Sequence, residues 1–242
     1  MTDRIVLLLA SRRDAPAATL AAREADAGVR LMTPHDLSQE GWTFHLGDPA
    51  GMTAVLAGRP LRGADIAGVV TRLGGVTEDD LPHIAPEDRS YVAAEMSAFL
   101  LAWLTSLACP VVNRPTPHCL SGPYWRQEQW VIAAERLGIP ARTVVRRAGD
   151  GIGTAATRPG HIVTVVGSRH FGADDEVLAE RAHALADAAG AELLAVEFDG
   201  PQRDARFVDA SLWPDLRDGA IADAMLALVR HKGRPPRAAP MS

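Results

Sequence analysis

Residues 91–143 read YVAAEMSAFLLAWLTSLACPVVNRPTPHCLSGPYWRQEQWVIAAERLGIPART. Pro86 and Glu87 upstream suit a first helical turn. Tyr91, Val92, Met96, Phe99, Leu100, Trp103, Leu104 and Leu107 then recur at three- and four-residue spacing. A helix over 86–107 is expected, with this broad apolar face packed in a core rather than forming a cofactor box. Pro110–Pro115 reads as a short strand closed by proline, and Pro123–Leu137 as a second helix stopped by Gly138 and Pro140. A buried strand between two helices in so short a span is the mark of an α/β fold.

The pattern continues on both sides. Ile5–Ala10 is an apolar run of strand length, Pro16–Ala27 an alanine-rich helix ended by Gly28, and Val29–Met32 a short strand. Gly41–Leu46 alternates loosely, and Asp65–Arg72 is a buried strand turning at Gly74-Gly75. Downstream, Arg142–Arg147 is extended and Ala148–Gly160 is a glycine-rich loop or linker. His161–Gly167, Glu192–Phe198 and Arg206–Asp209 read as strands, with helices over Asp175–Ala189 and Arg217–Arg230. The expected organisation is a mainly parallel α/β domain over 1–115, a shorter α+β domain over 116–232 and a disordered tail over 233–242.

Composition narrows the function classes. The 242 residues are 47% hydrophobic and 23% charged, values typical of a folded globular chain. The formal net charge of −5, with basic residues scattered among acids, gives no surface for tracking phosphates, so nucleic acid is not an expected partner. Ile5–Ala10 is too short to span a bilayer or to serve as a signal core. Two cysteines, Cys109 and Cys119, make neither a disulfide framework nor a zinc quartet, which leads to the expectation of a reducing, cytoplasmic setting. Of 25 basic residues a single one, Lys232, is lysine. Arginine-favouring codon usage accounts for such a bias. Its chemical consequence stands whatever the cause: no internal lysine is present to grip a phosphate or form a Schiff base.

Glu95, Trp103-Leu104, Asn113-Arg114-Pro115, Leu137-Gly138-Ile139-Pro140 and Thr143 follow one another in an order and at a spacing that resemble the pre-ATP-grasp domain of ATP-grasp ligases. The RimK-like ligases that macrocyclise ribosomal peptides are the nearest suggestion. The C-terminal part resembles the end of an ATP-grasp domain. There the family holds the magnesium ions of ATP with a carboxylate on one strand and an acid-x-Asn pair on the next. By that resemblance the metal ligands would be Glu197, Asp209 and Ser211, with serine standing where the family has asparagine and offering a poorer ligand to a hard cation. Solvated turn carboxylates are the plain alternative.

Between these two ends the resemblance breaks. Where the family carries its lysines, its phosphate-covering glycine loop and its adenine hinge, this chain has only Val144–Gly160 before the next strand. A triphosphate needs fixed cations in addition to metal, so ATP is not an expected cofactor although magnesium could be held. Gly149–Thr154 is glycine-spaced but opens no helix, which favours a plain linker over a phosphate loop. His118 beside Cys119 lacks a third orienting group and reads as structural. Arg169 and His170 follow a strand end, and Arg72 follows another; strand ends are where α/β sheets bind ligands, and arginine forks onto carboxylates. These three are the candidate substrate-binding residues, with a water-facing turn as the alternative.

Two classes of function follow. One is a truncated ATP-grasp-like protein without ligase activity, a pseudoenzyme acting as a binding or partner subunit for a peptide or protein in natural-product tailoring. The other is an enzyme. It would be either an ATP-dependent carboxylate–amine ligase whose nucleotide site is minimal or shared with another chain, or a metal-dependent enzyme using Glu197 and Asp209.

Overall fold

The computed structural model describes residues 4–45, 47–48, 51–143 and 160–232. It comprises two compact units, Met1–Gly122 together with Asp215–Ser242, and Pro123–Pro214.

The first unit is built on a parallel sheet in the order β2-β1-β5-β6, with β1 Ile5–Leu9, β2 Val29–Met32, β5 Ile66–Thr71 and β6 Val111–Val112. Strands buried on both faces carry unbroken apolar runs, which is how IVLLL and IAGVVT read. One face shares a core with helix α2, Arg89–Ser106: Leu7, Leu9 and Val69 cluster with Leu100, Trp103 and Leu104. On the other face the neighbouring strand residue, Gly68, meets Val229 of α5, Gly219–Lys232, so closely that any side chain at 68 would overlap it. The sequence reading grouped Arg217–Arg230 with the second half, yet α5 packs on β5 and β1.

Helix α1, Ala15–Arg23, starts at Asp14, whose carboxylate accepts from the Ala17 amide at 3.0 Å. It ends four residues before the alanine run does, and turns carry the chain to Gly28, whose φ of 78° glycine adopts without a Cβ penalty. Two elements were not anticipated. β3 Thr53–Leu56 and β4 Arg59–Arg62 form an antiparallel hairpin. Its two-residue tip, Ala57-Gly58, has positive φ at both positions, the turn that matches strand twist. Buried Asp36 ties it down, accepting from the Ala57 amide at 2.9 Å. Of the alternating Gly41–Leu46 stretch, Leu46 lies outside the described residues, and Thr43 forms an isolated bridge to Thr53. Tyr91, read as part of the apolar stripe of α2, is 70% exposed. The rest of the stripe packs on the core from Val92 onward, with Trp42 edge-on against Phe99 and Trp103 at 5.5 and 5.4 Å between centroids.

The second unit is an antiparallel sheet ordered β10-β9-β7-β8, with β7 His161–Val166, β8 Arg169–Phe171, β9 Leu193–Phe198 and β10 Phe207–Ser211. Helix α4, Glu176–Ala189, packs on β7 and β9, capped by Asp175 at its start and by left-handed Gly190 at its end. Helix α3, Gln127–Arg136, packs on β10. The α/β class with a mainly parallel first sheet and an α+β second part is therefore as expected. The glycine-spaced Gly149–Thr154, most of Arg142–Arg147 and the tail over 233–242 lie outside the described residues.

Trp103 is 1% exposed in this core. Trp103→Ala should lower unfolding free energy by about 3 to 5 kcal/mol, from lost burial plus a residual cavity; a denaturant midpoint that hardly moves would show that this face is not core.

Candidate functional site

Cross-strand register makes a site out of residues far apart in sequence. β10 runs antiparallel to β9 with Asp209 opposite Glu197 and Ser211 opposite Ala195. Side chains alternate across a strand, so Glu197, Asp209 and Ser211 share one face of the sheet. The register slips between Phe207 and Asp209, and that irregularity sets the opposition of the two acids.

Each of the three has a partner. Glu197 Oε1 accepts from the Gly160 amide at 3.1 Å, and a side chain at Gly160 would run into this carboxylate. Asp209 Oδ1 accepts from the Ala210 amide at 2.8 Å. Ser211 Oγ accepts from the Trp213 amide at 3.2 Å, so its hydroxyl caps a turn. Burial pushes the Asp209 carboxyl above its ordinary value; the Ala210 amide opposes this, and the negative charges of Glu197 and Glu128 add to it. Glu128 lies on α3, next to Gln127, whose amide donates to the Val208 carbonyl at 3.2 Å. No motif in the sequence marked Glu128, because a helix residue some eighty positions upstream gains its meaning only from packing.

Two facing carboxylates, one partly desolvated, suit a shared proton or a hard cation such as magnesium, which takes one or two carboxylates and keeps several waters. Among the described residues no group of three or more His, Cys, Asp and Glu side chains is close enough to hold a metal ion. Glu197 and Asp209 are the two carboxylates of this face, and the Ser211 hydroxyl beside them accepts from the Trp213 amide.

The proposed substrate-binding residues fall in different surroundings. Arg169 and His170 were expected to follow a strand end as substrate-binding residues, with a water-facing turn as the alternative. They lie instead on β8, the edge strand paired with β7 through Gly167-Ser168. A three-residue strand is too short for alternation to announce itself, which is why it escaped the pattern. Arg169 extends its guanidinium 4.9 Å above the Phe171 ring. His170 faces the other way, towards His183 of α4 at 5.7 Å between rings. Arg72 does follow a strand end, but it is bound to Asp14 at 2.7 Å, with side-chain exposures of 11% and 15%. Since Asp14 also caps α1, this ion pair joins the loop after β1 to the end of β5. Cys119 is buried and its thiol is raised by burial, Cys109 more so, to about 11; both are inert in this state. His118 is exposed beside Cys119 and forms no dyad with it in the described contacts.

No family model matches the chain, and no curated protein matches it. Solved structures do. The macrocyclase MdnC from Microcystis aeruginosa MRC, bound with precursor peptide MdnA, superposes with a TM-score of 0.65 at 12% identity over 93% of this chain and 99% of its own. The ATP-grasp ligase PsnB, complexed with minimal precursor, Mg and ADP, gives 0.65 at 12% identity over 93% and 98%. A Chryseobacterium gregarium RiPP-associated ATP-grasp ligase, in complex with ADP and a leader and core peptide, gives 0.64 at 11% over 99% and 100%. The fold of this chain is therefore that of the ATP-grasp ligases of ribosomal-peptide modification.

Two measurements follow. Arg72→Met strands the Asp14 carboxylate and should cost about 3 kcal/mol of stability; a variant of unchanged stability with impaired ligand binding would instead make Arg72 a recognition residue. Because the folded Asp209 carboxyl is raised above 3.8, the native state holds this proton to higher pH than the unfolded chain does. Stability is therefore lost as pH rises through that window. In metal-free buffer Asp209→Asn should raise the melting temperature at neutral pH, with the gain vanishing below about pH 3.8; a variant that melts lower at pH 7 would contradict the desolvation account.

Proposed function

We propose that this chain, starting from the fold of ATP-grasp ligases, is a shortened relative that has given up ATP-dependent ligation and serves as a binding or partner subunit for a peptide or protein in natural-product tailoring. The observation that carries this reading is the single lysine, Lys232, at the end of α5 in the unit of the parallel sheet. The stretch Pro123–Pro214, which carries Glu197 and Asp209, contains no lysine. A triphosphate in a cleft of low dielectric needs fixed positive charges around it, and arginine replaces a phosphate-gripping lysine only where its fork is aimed at the phosphates.

On this reading residues 1–115 correspond to a pre-ATP-grasp-like domain and 116–232 to a truncated ATP-grasp-like domain. The family's clamping segment would be replaced by residues 144–160. The solved relatives contain precursor, leader or core peptides, which supports a peptide as partner. Arg169, exposed on β8, is the candidate to meet its carboxylates. The compartment proposed is the cytoplasm, in keeping with two buried free thiols. Among the described residues no helix is long and apolar enough to cross a membrane.

The cross-strand pair Glu197 and Asp209 favours a second reading, a metal-dependent enzyme working without nucleotide. Calorimetry separates the two from an active ligase. Titration with Mg-ATP should give no saturable heat; magnesium-dependent binding below millimolar would overturn the proposal and restore the ligase. Magnesium alone, if it binds, should lose its heat in both Glu197→Ala and Asp209→Ala. Magnesium affinity untouched by the double substitution would remove this pair from any metal chemistry.

A further inference from the structure

Parallel strands deliver the segments that follow them to one end of the sheet, the end at which α/β folds hold ligands. β2, β1 and β5 are parallel neighbours, so the segments after them leave from that end together. Arg12 belongs to the segment after β1, His35 and Ser38 to the short helical turn Pro34–Ser38 after β2, and His83 to the segment between β5 and α2. The side chains of the last three meet. Ser38 Oγ and His83 Nε2 are 2.7 Å apart, and the His35 and His83 rings stand edge-on at 4.9 Å between centroids. Arg89 fixes the turn that carries His83 by donating to the carbonyls of Ile84 at 2.9 Å and Pro82 at 3.1 Å.

This corner has donors and positive charge to spare. The Gln39 amide donates to His35 Nε2 at 3.4 Å, which puts the ring proton on Nδ1, and that nitrogen is buried without a hydrogen-bond partner. Buried donors are ordinarily satisfied. Arg12 is exposed and makes no hydrogen bond or ion pair among the described residues. Two carboxylates of the same segments are engaged elsewhere: Asp79 pairs with Arg13 at 2.6 Å, and Asp80 accepts from the hydroxyls of Ser11 and Thr77 at 2.5 and 2.8 Å. Burial first, and then the charges of His35, Arg12 and Arg89, push the His83 imidazole below its ordinary value, and no carboxylate acts on it. A field of one sign repels a metal cation and attracts an anion.

We propose that Arg12, His35 and His83 form a site for the oxyanion group of a small molecule, a carboxylate or a phosphoryl group, at the carboxyl end of the parallel sheet. The oxyanion supplies the negative charge this corner lacks and gives the Arg12 fork a partner. It reaches His35 Nδ1 once the exposed His83 ring turns aside. Binding favours the imidazolium form of His83, so affinity rises as pH falls. The proposal is independent of the proposed function, whose two acids lie in the other unit.

Titration of the full chain with sulfate, and separately with acetate, followed through the histidine C2-proton resonances, tests it. Both probes keep their charge between about pH 6 and about pH 8, so any pH dependence belongs to the protein. His35→Gln and His83→Gln assign the two resonances. Saturable shifts of both are expected, with binding about tenfold tighter at the lower pH. Arg12→Gln should weaken binding about tenfold, and His83→Gln should remove most of the pH dependence. Unchanged circular-dichroism melts show that the variants are folded. Tighter binding of sulfate identifies a phosphoryl ligand, and tighter binding of acetate a carboxylate. Shifts that never saturate, affinity indifferent to Arg12→Gln, or binding that strengthens as pH rises overturns the proposal. No magnesium is added, which separates this result from the magnesium-dependent nucleotide binding that would restore the ligase.

Discussion

A parallel sheet has no face that can be left to water, and the first unit is organised around that constraint. Its strands run IVLLL and IAGVVT, apolar at every position that matters, so helices must close both sides. Trp103 and Leu104 of α2 close one side together with Leu7, Leu9 and Val69. The other side is closed at β5 by a helix from the far end of the chain. Gly68 is the point of contact: the absence of a side chain there lets Val229 reach the sheet, and the polypeptide returns to its starting domain after building a second one. Asp14 and Arg72 then lock the loop after β1 to the end of β5 through an ion pair that is nearly out of solvent.

The second unit solves a different problem with antiparallel strands. Helix α4 packs on β7 and β9 and α3 on β10, while the acids of β9 and β10 share one face of the sheet. Holding Asp209 opposite Glu197, with Glu128 near, raises the free energy of the charged state, and partial burial raises it further. The chemistry available to the pair is proton sharing or cation binding.

Much of the architecture was legible because long periodic segments announce themselves. The β1, β5, α2, α3, α4 and α5 segments fell close to their expected positions, each marked by an apolar run, a three-four spacing or a glycine stop. Short elements did not announce themselves. The β3–β4 hairpin turns on Ala57 in a left-handed conformation held by Asp36, twenty-one residues earlier in the chain, and β8 is three residues long. The first depends on a partner distant in sequence, while the second is a hairpin arm too short to show a pattern.

The sequence by itself determined the class of fold, the order of its main elements, the scarcity of lysine and the positions of two acids on successive strands, because each is a matter of side-chain type and spacing along the chain. Tertiary structure decided what those residues face. Register, not spacing, set Glu197 against Asp209; packing brought the charge of Glu128 near Asp209; Arg72 came to pair with Asp14; and pairing to β7 placed Arg169 and His170 on an edge strand with opposite outlooks. Energies of this kind depend on distances between residues remote in sequence, and those distances exist only once the sheets have formed.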